Sequence, residues 1–427
     1  MTWAKRIPRG YRALLRARRA GADATHRRPR KLIVMSYPSP LARGYDGAPT
    51  SSAPAPAPAP TALPTLPTLP SKGRRALPWL FGVLVIVLLG VVAYFLEALG
   101  PAASVIGLII ALIPLTAVLL AVRLIDRWEP EPRSLVIFAV AWGAVAAVAI
   151  ALGVDLLMTL LFGSADTPAR EAVQAVVQAP IVEEFAKGLG VFLVFATARR
   201  AFDGPVDGVV YGALVAAGFA FTENIQYFAV SMIEGGATQL TMTFFLRGIL
   251  SPFAHVMFTS VTGFALGLAA RRGLSTGAAI GPWFVGMAGA AILHGLWNGS
   301  AQFFDFFALY ATLQVPLFVL FIVGIVMLLR EERRLTAERL GEYASAGWFT
   351  PQEVRMLATR RGRRSALDWS RTLRGDRTGI MKGFIRDATT LAAVRQRIVT
   401  GRDRNAAADE STLLARTVAA RRALFAP

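Results

Sequence analysis

Long apolar stretches, separated by short polar connections, fill the chain from residue 78 to residue 330. Eight of them are each long enough to cross about 30 Å of hydrocarbon at about 1.5 Å per residue. They lie at 78–99, 101–122, 134–162, 171–198, 206–231, 246–270, 277–299 and 306–330. This pattern predicts an all-α fold, a polytopic transmembrane helix bundle of about eight spans.

Lys and Arg residues are distributed unevenly among the connections. They precede the first stretch and follow stretches two, four, six and eight, whereas the other connections carry only Arg170 and Arg247, at the edges of spans. Cytoplasmic loops of membrane proteins hold the excess of Lys and Arg. The distribution therefore predicts an integral protein of the cell membrane, with an even number of spans and both termini in the cytoplasm.

Charge divides the 427-residue chain into three parts. The net charge of +19 is made up of +13 in residues 1–77, −3 in residues 78–330 and +9 in residues 331–427. We expect 1–77, basic and rich in Pro and Ala, to be largely disordered, and 78–330 to be the membrane domain. We expect 331–427 to be a basic cytoplasmic tail that is partly helical, because Thr350, Pro351 and Glu353 form a capping box that opens a helix.

Composition also limits the function classes. Basic tails beside membrane spans contact anionic lipid headgroups, so the positive charge requires no nucleic acid partner. The chain has no cysteine, which excludes a disulfide, a thiolate nucleophile and a Cys-based zinc site. The expected surroundings are the lipid bilayer, and the oligomeric state is left open.

Charged side chains are rare inside membrane spans and usually serve a function where they occur. Here they concentrate in stretches four to seven, together with two of the three histidines. The set is Glu183, Glu184 and Lys187 in stretch four, Glu223 and Asn224 in stretch five, His255 in stretch six, and His294 and Asn298 in stretch seven.

Counting from the cytoplasmic boundaries gives these groups a common depth. Glu183, Glu223 and His255 each lie sixteen residues from a boundary residue, and so does His294 if stretch seven begins near Ala278. At the helical rise this is about 24 Å. The sequence therefore predicts one polar layer in the outer half of the membrane.

Each position alone has a simpler explanation. Glu183 and Lys187 can form an ion pair within one helix, and a single His or Asn often only bonds a neighbouring helix. Together the groups favour a functional site. A carboxylate and an imidazole around a water make it a nucleophile, by general-base action or with a metal, and His294 with Asn298 presents two donors to a developing oxyanion. This combination suggests amide hydrolysis inside the membrane.

Five short motifs follow one another in the order of the spans. They are D-R-W-E-P-E-P from Asp126, E-E-x-x-K at Glu183, F-x-x-x-E-N at Phe219, H-x-x-x-T at His255 and H-x-x-W-N at His294. Together, over roughly residues 123–330, they resemble the PrsW family of intramembrane proteases, within the wider superfamily of CAAX-processing and bacteriocin-processing membrane proteases. The resemblance implies an intramembrane endopeptidase, grouped with metalloproteases, whose substrates include membrane-anchored regulators such as anti-sigma factors.

The resemblance also implies a role for each residue. Glu183 would be the base that activates water, with Glu184 as its partner. His255 and Glu223 would hold the water or a metal, although CAAX-type relatives carry His where this chain has Glu223. His294 and Asn298 would polarise the scissile carbonyl.

The metal and the function keep alternatives at this point. His255, His294 and Glu223 satisfy a Zn²⁺ site on paper, and the same groups satisfy a metal-free mechanism. A non-catalytic scaffold that binds a partner's transmembrane helix would retain the same polar cluster. Membrane-embedded Glu and His also build ion or solute transporters, but the sequence shows no inverted repeat.

Overall fold

The computed structural model describes residues 77–165, 167–303, 305–401 and 406–426, and this part of the chain is helical, with no strand. Its first eight helices are α1 Leu77–Leu99, α2 Pro101–Ile125, α3 Arg133–Phe162, α4 168–197, α5 Pro205–Phe244, α6 Ala254–Arg271, α7 Ile280–Phe303 and α8 Phe306–Ser345. Four shorter helices follow: α9 Pro351–Leu357, α10 Arg360–Thr372, α11 Thr378–Val399 and α12 Ala406–Leu424. The predicted all-α class is confirmed. The predicted N-terminal tail lies, except for Leu77, outside the described residues.

The structure also bears on the number of spans. Among the described residues, six helical segments are long and apolar enough to cross a membrane. One of them, Pro205–Arg271, contains both α5 and α6 and bends at Gly236, whose φ of 60° is a conformation that suits glycine. The membrane helix bundle is confirmed, and eight spans with cytoplasmic termini remain a prediction.

Helices α5 and α6 lie antiparallel with their backbones in contact. A Cβ on Gly208 of α5 would lie 2.0 Å from the carbonyl oxygen of Gly263 of α6. Helix α3 approaches α5 in the same way, because a Cβ on Gly143 would lie 1.9 Å from the carbonyl oxygen of Val215. Small residues permit such close approach between membrane helices. They place α5 at the centre of the bundle.

Two tryptophans attach α4 to its neighbours. Trp142 of α3 donates its indole N–H to the carbonyl of Ala186 at 3.0 Å, and Trp283 of α7 donates to the carbonyl of Gly188 at 2.9 Å. Both acceptors belong to the turn of α4 that follows Glu183 and Glu184. The position of the two glutamates is therefore fixed from two sides.

The C-terminal helices have a hydrophobic core of their own. Helix α8 continues without a break past residue 330 to Ser345, and its Leu340 and Tyr343 pack with residues of α9 to α12. The predicted capping box is confirmed: Thr350 accepts from the Glu353 N–H at 3.1 Å, and Glu353 accepts from the Thr350 N–H at 2.8 Å. The division of the chain into three domains stays a prediction.

The tail packs against the membrane part at Trp128, in the connection between α2 and α3. Trp128 is buried, and its indole N–H donates to the Thr336 hydroxyl at 3.2 Å. The Arg363 guanidinium lies 3.4 Å from the centre of the Trp128 ring and donates to the Trp128 carbonyl at 2.9 Å. These contacts form a joint between tail and bundle.

Candidate active site

Helix α4 presents its two adjacent glutamates in different directions. Residues next to each other on an α-helix point about 100° apart. As a result Glu184 is fully buried, whereas Glu183 is partly exposed and borders a cavity. A π-helical segment, Gln174–Gln178, precedes them, and such segments often occur at functional sites.

Both carboxylate oxygens of Glu184 are bonded to neighbouring side chains. Its Oε1 lies 2.6 Å from the Lys187 ammonium and 3.2 Å from Nδ1 of His294, and its Oε2 accepts from the Thr259 hydroxyl at 2.8 Å. All four side chains are buried. Glu184 therefore joins α4, α6 and α7 and has no oxygen left to face the cavity.

His255 lies between two charged partners. Its Nε2 is 2.9 Å from Glu223 Oε2, and its Nδ1 is 3.3 Å from Lys187 Nζ. Lys187 lies in turn 3.4 Å from Glu183. The predicted carboxylate and imidazole groups of α4, α5 and α6 thus form one connected network.

Arg247 belongs to this network, although the sequence pattern placed it only at a span edge. It donates to Glu223, and its Nε donates to Asn224 Oδ1 at 2.8 Å. Its guanidinium lies 3.8 Å from the centre of the Tyr227 ring. Arg247 thus compensates the charge of Glu223. Arg247 lies in the connection between α5 and α6, which folds back along α5. The pairing with Glu223 depends on this register and could not be predicted from the sequence.

His294 is buried against aromatic rings. Its ring stacks on Phe258 with centroids 4.9 Å apart, and its centroid is 5.0 Å from that of His255. Its Nδ1 is 3.9 Å from Glu183. Asn298, one turn further along α7, donates its amide to the Ala175 carbonyl at 2.8 Å. The structure thus gives one Asn298 donor a partner in the π-helical segment of α4 and leaves its predicted oxyanion role untested.

Two neighbouring cavities meet at Glu183 and Glu223. The first, of about 120 Å³, is also lined by His255, His294 and Asn298. The second, of about 380 Å³, lies between α3, α4 and α5. Because the two glutamates line both cavities, a molecule in the larger cavity could reach the polar network.

The larger cavity contains polar residues that the sequence analysis did not select. They are Asp155 of α3, Gln174 and Gln178 of α4, and Gln226 of α5. Gln174 donates to Asp155 at 2.5 Å, which connects α3 and α4 beside the cavity. Asp155 is an ionisable residue inside a predicted span, so it carried the same signal as the residues that were selected.

One group of three residues has the donors for a metal ion. Ligand atoms of Glu183, His255 and His294 lie within 4.8 Å of one another. Two imidazoles and one carboxylate are a common zinc set in hydrolases. The sequence analysis chose Glu223 as the carboxylate of this set. In the structure the carboxylate close to both imidazoles is that of Glu183, and Glu223 forms an ion pair with Arg247. The ammonium of Lys187, next to His255, would repel a divalent cation bound between these three residues.

Comparison with known proteins finds similarity in the region that contains the site. Residues 131–325 match the model of the family described as "PrsW family intramembrane metalloprotease". This part of the chain is therefore similar to the PrsW family. The resemblance carried by the motifs is thereby confirmed, and the match includes helices α3 to α7 and the α5–α6 connection, which together supply the site residues.

Two curated relatives are similar over part of their length. The protein named Protease PrsW from Geobacillus kaustophilus (strain HTA426) is 31% identical over 144 residues, which are 34% of this chain and 58% of the relative. Protease PrsW from Oceanobacillus iheyensis is 30% identical over 145 residues, 33% of this chain and 60% of the relative. The chain thus spans about three fifths of these relatives. No solved structure matches.

Proposed function

We propose that this protein is an intramembrane endopeptidase that cleaves membrane-anchored proteins. The observation that carries the proposal is the contrast between the two adjacent glutamates. Glu184 is enclosed by Lys187, Thr259 and His294, whereas Glu183 faces the cavity beside the same network. A base that activates water needs an oxygen that water can reach. Glu183 has that access and Glu184 does not.

The neighbouring residues suit the steps that follow. Glu183 takes the proton of the attacking water, and Lys187 holds the glutamate side chain in place at 3.4 Å. His294 borders the same cavity, and because its Nδ1 is paired with Glu184, its Nε2 is the ring nitrogen left to hold the water. Once protonated there, His294 can donate to the developing oxyanion. His255 borders the cavity with both ring nitrogens engaged, by Glu223 and by Lys187. Glu223, fixed by Arg247, orients His255 through its Nε2. Asn298 keeps the Ala175 turn beside the cavity.

Zn²⁺ is our proposal for a bound metal. Glu183, His255 and His294 would hold it, so that Glu183 would be a ligand instead of the free base, and the metal would lower the pKa of a bound water. Metal analysis of purified protein, with cleavage measured with and without a chelator, tests this. Stoichiometric zinc and loss of cleavage on chelation support it, whereas unchanged cleavage in metal-free protein leaves Glu183 as the base of a metal-free mechanism.

The larger cavity supports a membrane-anchored substrate. It combines apolar residues such as Val148, Leu152 and Val230 with the amides of Gln178 and Gln226. A transmembrane segment that unwinds for cleavage exposes both apolar side chains and backbone groups that need hydrogen bonds. A lining of this kind can bind both. A membrane-anchored regulator, such as an anti-sigma factor, belongs to this class.

Cleavage by matched variants tests the proposal. Glu183→Gln keeps the shape of the side chain but removes the base, so cleavage of a membrane-anchored reporter should fall by a factor on the order of 10² to 10⁴. Glu171→Gln, the same change on an exposed position of α4, should leave cleavage unchanged. If Glu183→Gln cleaves like the unmodified protein, Glu183 is not the base. If the purified unmodified protein does not cleave the reporter, the helix-binding scaffold becomes the better explanation.

A further inference from the structure

A third cavity, with a distinctive lining, lies at the joint between the tail and the membrane bundle. It has a volume of about 600 Å³ and lies between the α2–α3 connection and helices α10 and α11. The lining includes no acidic residue. Six of its residues are basic: Arg127, Arg360, Arg363, Arg364, Lys382 and Arg386.

Several of these cations form no ion pair with the described residues. Among the described residues, no carboxylate forms an ion pair with Arg127, Arg360 or Arg364. Arg386 lies 3.6 Å from Asp387, and Arg363 is held by Trp128. Like charges gathered around one cavity repel one another. An anion in the cavity would remove that repulsion.

The shape of the cavity leaves room for such an anion. Gly379 and Gly383 of α11 form part of its wall, and a Cβ on either would meet no atom within 4 Å. The planar guanidinium groups of Arg360 and Arg364 suit the bidentate recognition of phosphate. The ammonium of Lys382 adds a point charge, as in many phosphate sites.

The position of the cavity indicates where the anion comes from. Arg127 lies two residues after the last residue of α2, Ile125, in the connection to α3. The ends of membrane helices lie near lipid headgroups, and basic pockets there bind anionic headgroups. We propose that this cavity binds a phosphate-bearing anion, with the headgroup of an anionic phospholipid as the favoured source. The proposal does not depend on protease activity.

The test measures binding to the purified full-length chain in detergent micelles. Phosphatidylglycerol is added to the micelles at rising mole fraction, and phosphatidylcholine serves as the zwitterionic comparison. In a second arm, inorganic pyrophosphate and ATP are titrated at constant ionic strength. The midpoint of thermal unfolding should rise saturably with the bound anion, because a ligand that binds only the folded state stabilises it.

Two sets of variants with the same loss of charge separate a site from general attraction. Arg360→Gln/Arg364→Gln/Lys382→Gln removes three cations from the cavity, and we expect the affinity to fall by roughly 100-fold, from about 1 kcal/mol per basic residue. Arg355→Gln/Arg374→Gln/Arg422→Gln removes three exposed cations of the tail that do not line the cavity, and we expect it to bind like the unmodified chain.

A steric variant covers the case in which the triple change prevents folding. Gly383→Leu keeps every charge, its Cβ would meet no atom within 4 Å, and leucine favours helix more than glycine does. Its side chain should occupy the space of the anion and weaken binding while the protein stays folded.

Each outcome decides the proposal. Saturable binding of phosphatidylglycerol that the cavity variants lose and the control keeps supports a lipid headgroup. The same pattern with pyrophosphate or ATP alone supports a soluble phosphate ligand. An equal loss in both triple variants, binding unaffected by Gly383→Leu, or no saturable binding to any probe overturns the proposal.

Discussion

Replacing Glu184 by Gln removes the anion that compensates a fully buried lysine. Glu184 Oε1 lies 2.6 Å from Lys187 Nζ, and neither side chain is exposed. Glutamine fits the same space and can still accept from the Thr259 hydroxyl, but it carries no charge. Among the described residues, Lys187 would then keep Glu183, at 3.4 Å, as its one ion-pair partner, beside the neutral contact with His255. We therefore expect Glu184→Gln to lower stability and not only activity.

The size of the effect follows from the cost of an uncompensated buried charge. Breaking a buried ion pair by removing one partner costs about 3–5 kcal/mol. Because Glu183 remains near Lys187, we expect the lower end, about 3 kcal/mol. For a domain of this size the melting temperature should fall on the order of 10 °C.

Thermal unfolding of detergent-purified variants measures this effect. Glu183→Gln is the matched control, since it makes the same chemical change one residue away, at a side chain that borders the cavity. It should melt within a few degrees of the unmodified protein and yet fail to cleave. Glu184→Gln/Lys187→Met removes both charges of the buried pair and should recover much of the lost stability, because an apolar replacement of a buried pair is often neutral.

One result would refute this reasoning. If Glu184→Gln melts like the unmodified protein but no longer cleaves, Glu184 takes part in the chemistry itself. The assignment of Glu184 to holding Lys187, Thr259 and His294 in place would then be wrong.

Three further predictions concern the network, the joint and the topology. Arg247→Leu should lower cleavage by roughly 10- to 100-fold, because Glu223 loses its charged hydrogen-bond donor, whereas a loss below twofold contradicts that role. Burial and the nearby Asp203 and Glu332 raise the pKa of Glu129, in the α2–α3 connection, from 4.5 to about 8. Its contribution to stability should be complete below about pH 4.5 and lost as the pH rises through about 8, and Glu129→Gln should flatten the melting temperature measured over this range. Reporter fusions after residues 200 and 272 and at the C-terminus should all indicate cytoplasm, and an opposite signal at any of them contradicts eight spans.

The sequence was sufficient to predict the class of fold and the layer in which the polar groups meet. Both depend on one coordinate, the distance along a helix, which residue counting provides. Counting could not tell that Glu184 faces the packed interior and Glu183 the cavity, because rotation about the helix axis depends on the neighbouring helices. The same limit applies to the predicted metal set: counting along the helices suggested Glu223, whereas the structure brings Glu183 close to the two imidazoles.

Side-chain pairs between different helices could not be predicted from the sequence either. In the sequence, Arg247 was an exception to the distribution of Lys and Arg among the connections. In the structure, the connection between α5 and α6 brings it beside Glu223. Asp155 was overlooked because it stands alone in its apolar stretch, and its partner Gln174 lies nineteen residues away. Contacts of this kind follow from the packing of helices, which one sequence does not contain.

Helix α8 connects the membrane bundle directly to the C-terminal tail. Its 40 residues, at about 1.5 Å each, make a rod about 60 Å long that begins in the bundle and ends in the core of the tail. Near its start, the Tyr310 hydroxyl donates to the Leu250 carbonyl and Gln314 donates to Ser300. At its far end, Tyr343 donates to Glu410 of α12. A continuous helix that is hydrogen-bonded at both ends couples the position of the tail to the bundle. A displacement of the tail would therefore strain the hydrogen bonds that α8 makes to Leu250 and Ser300, near the polar network.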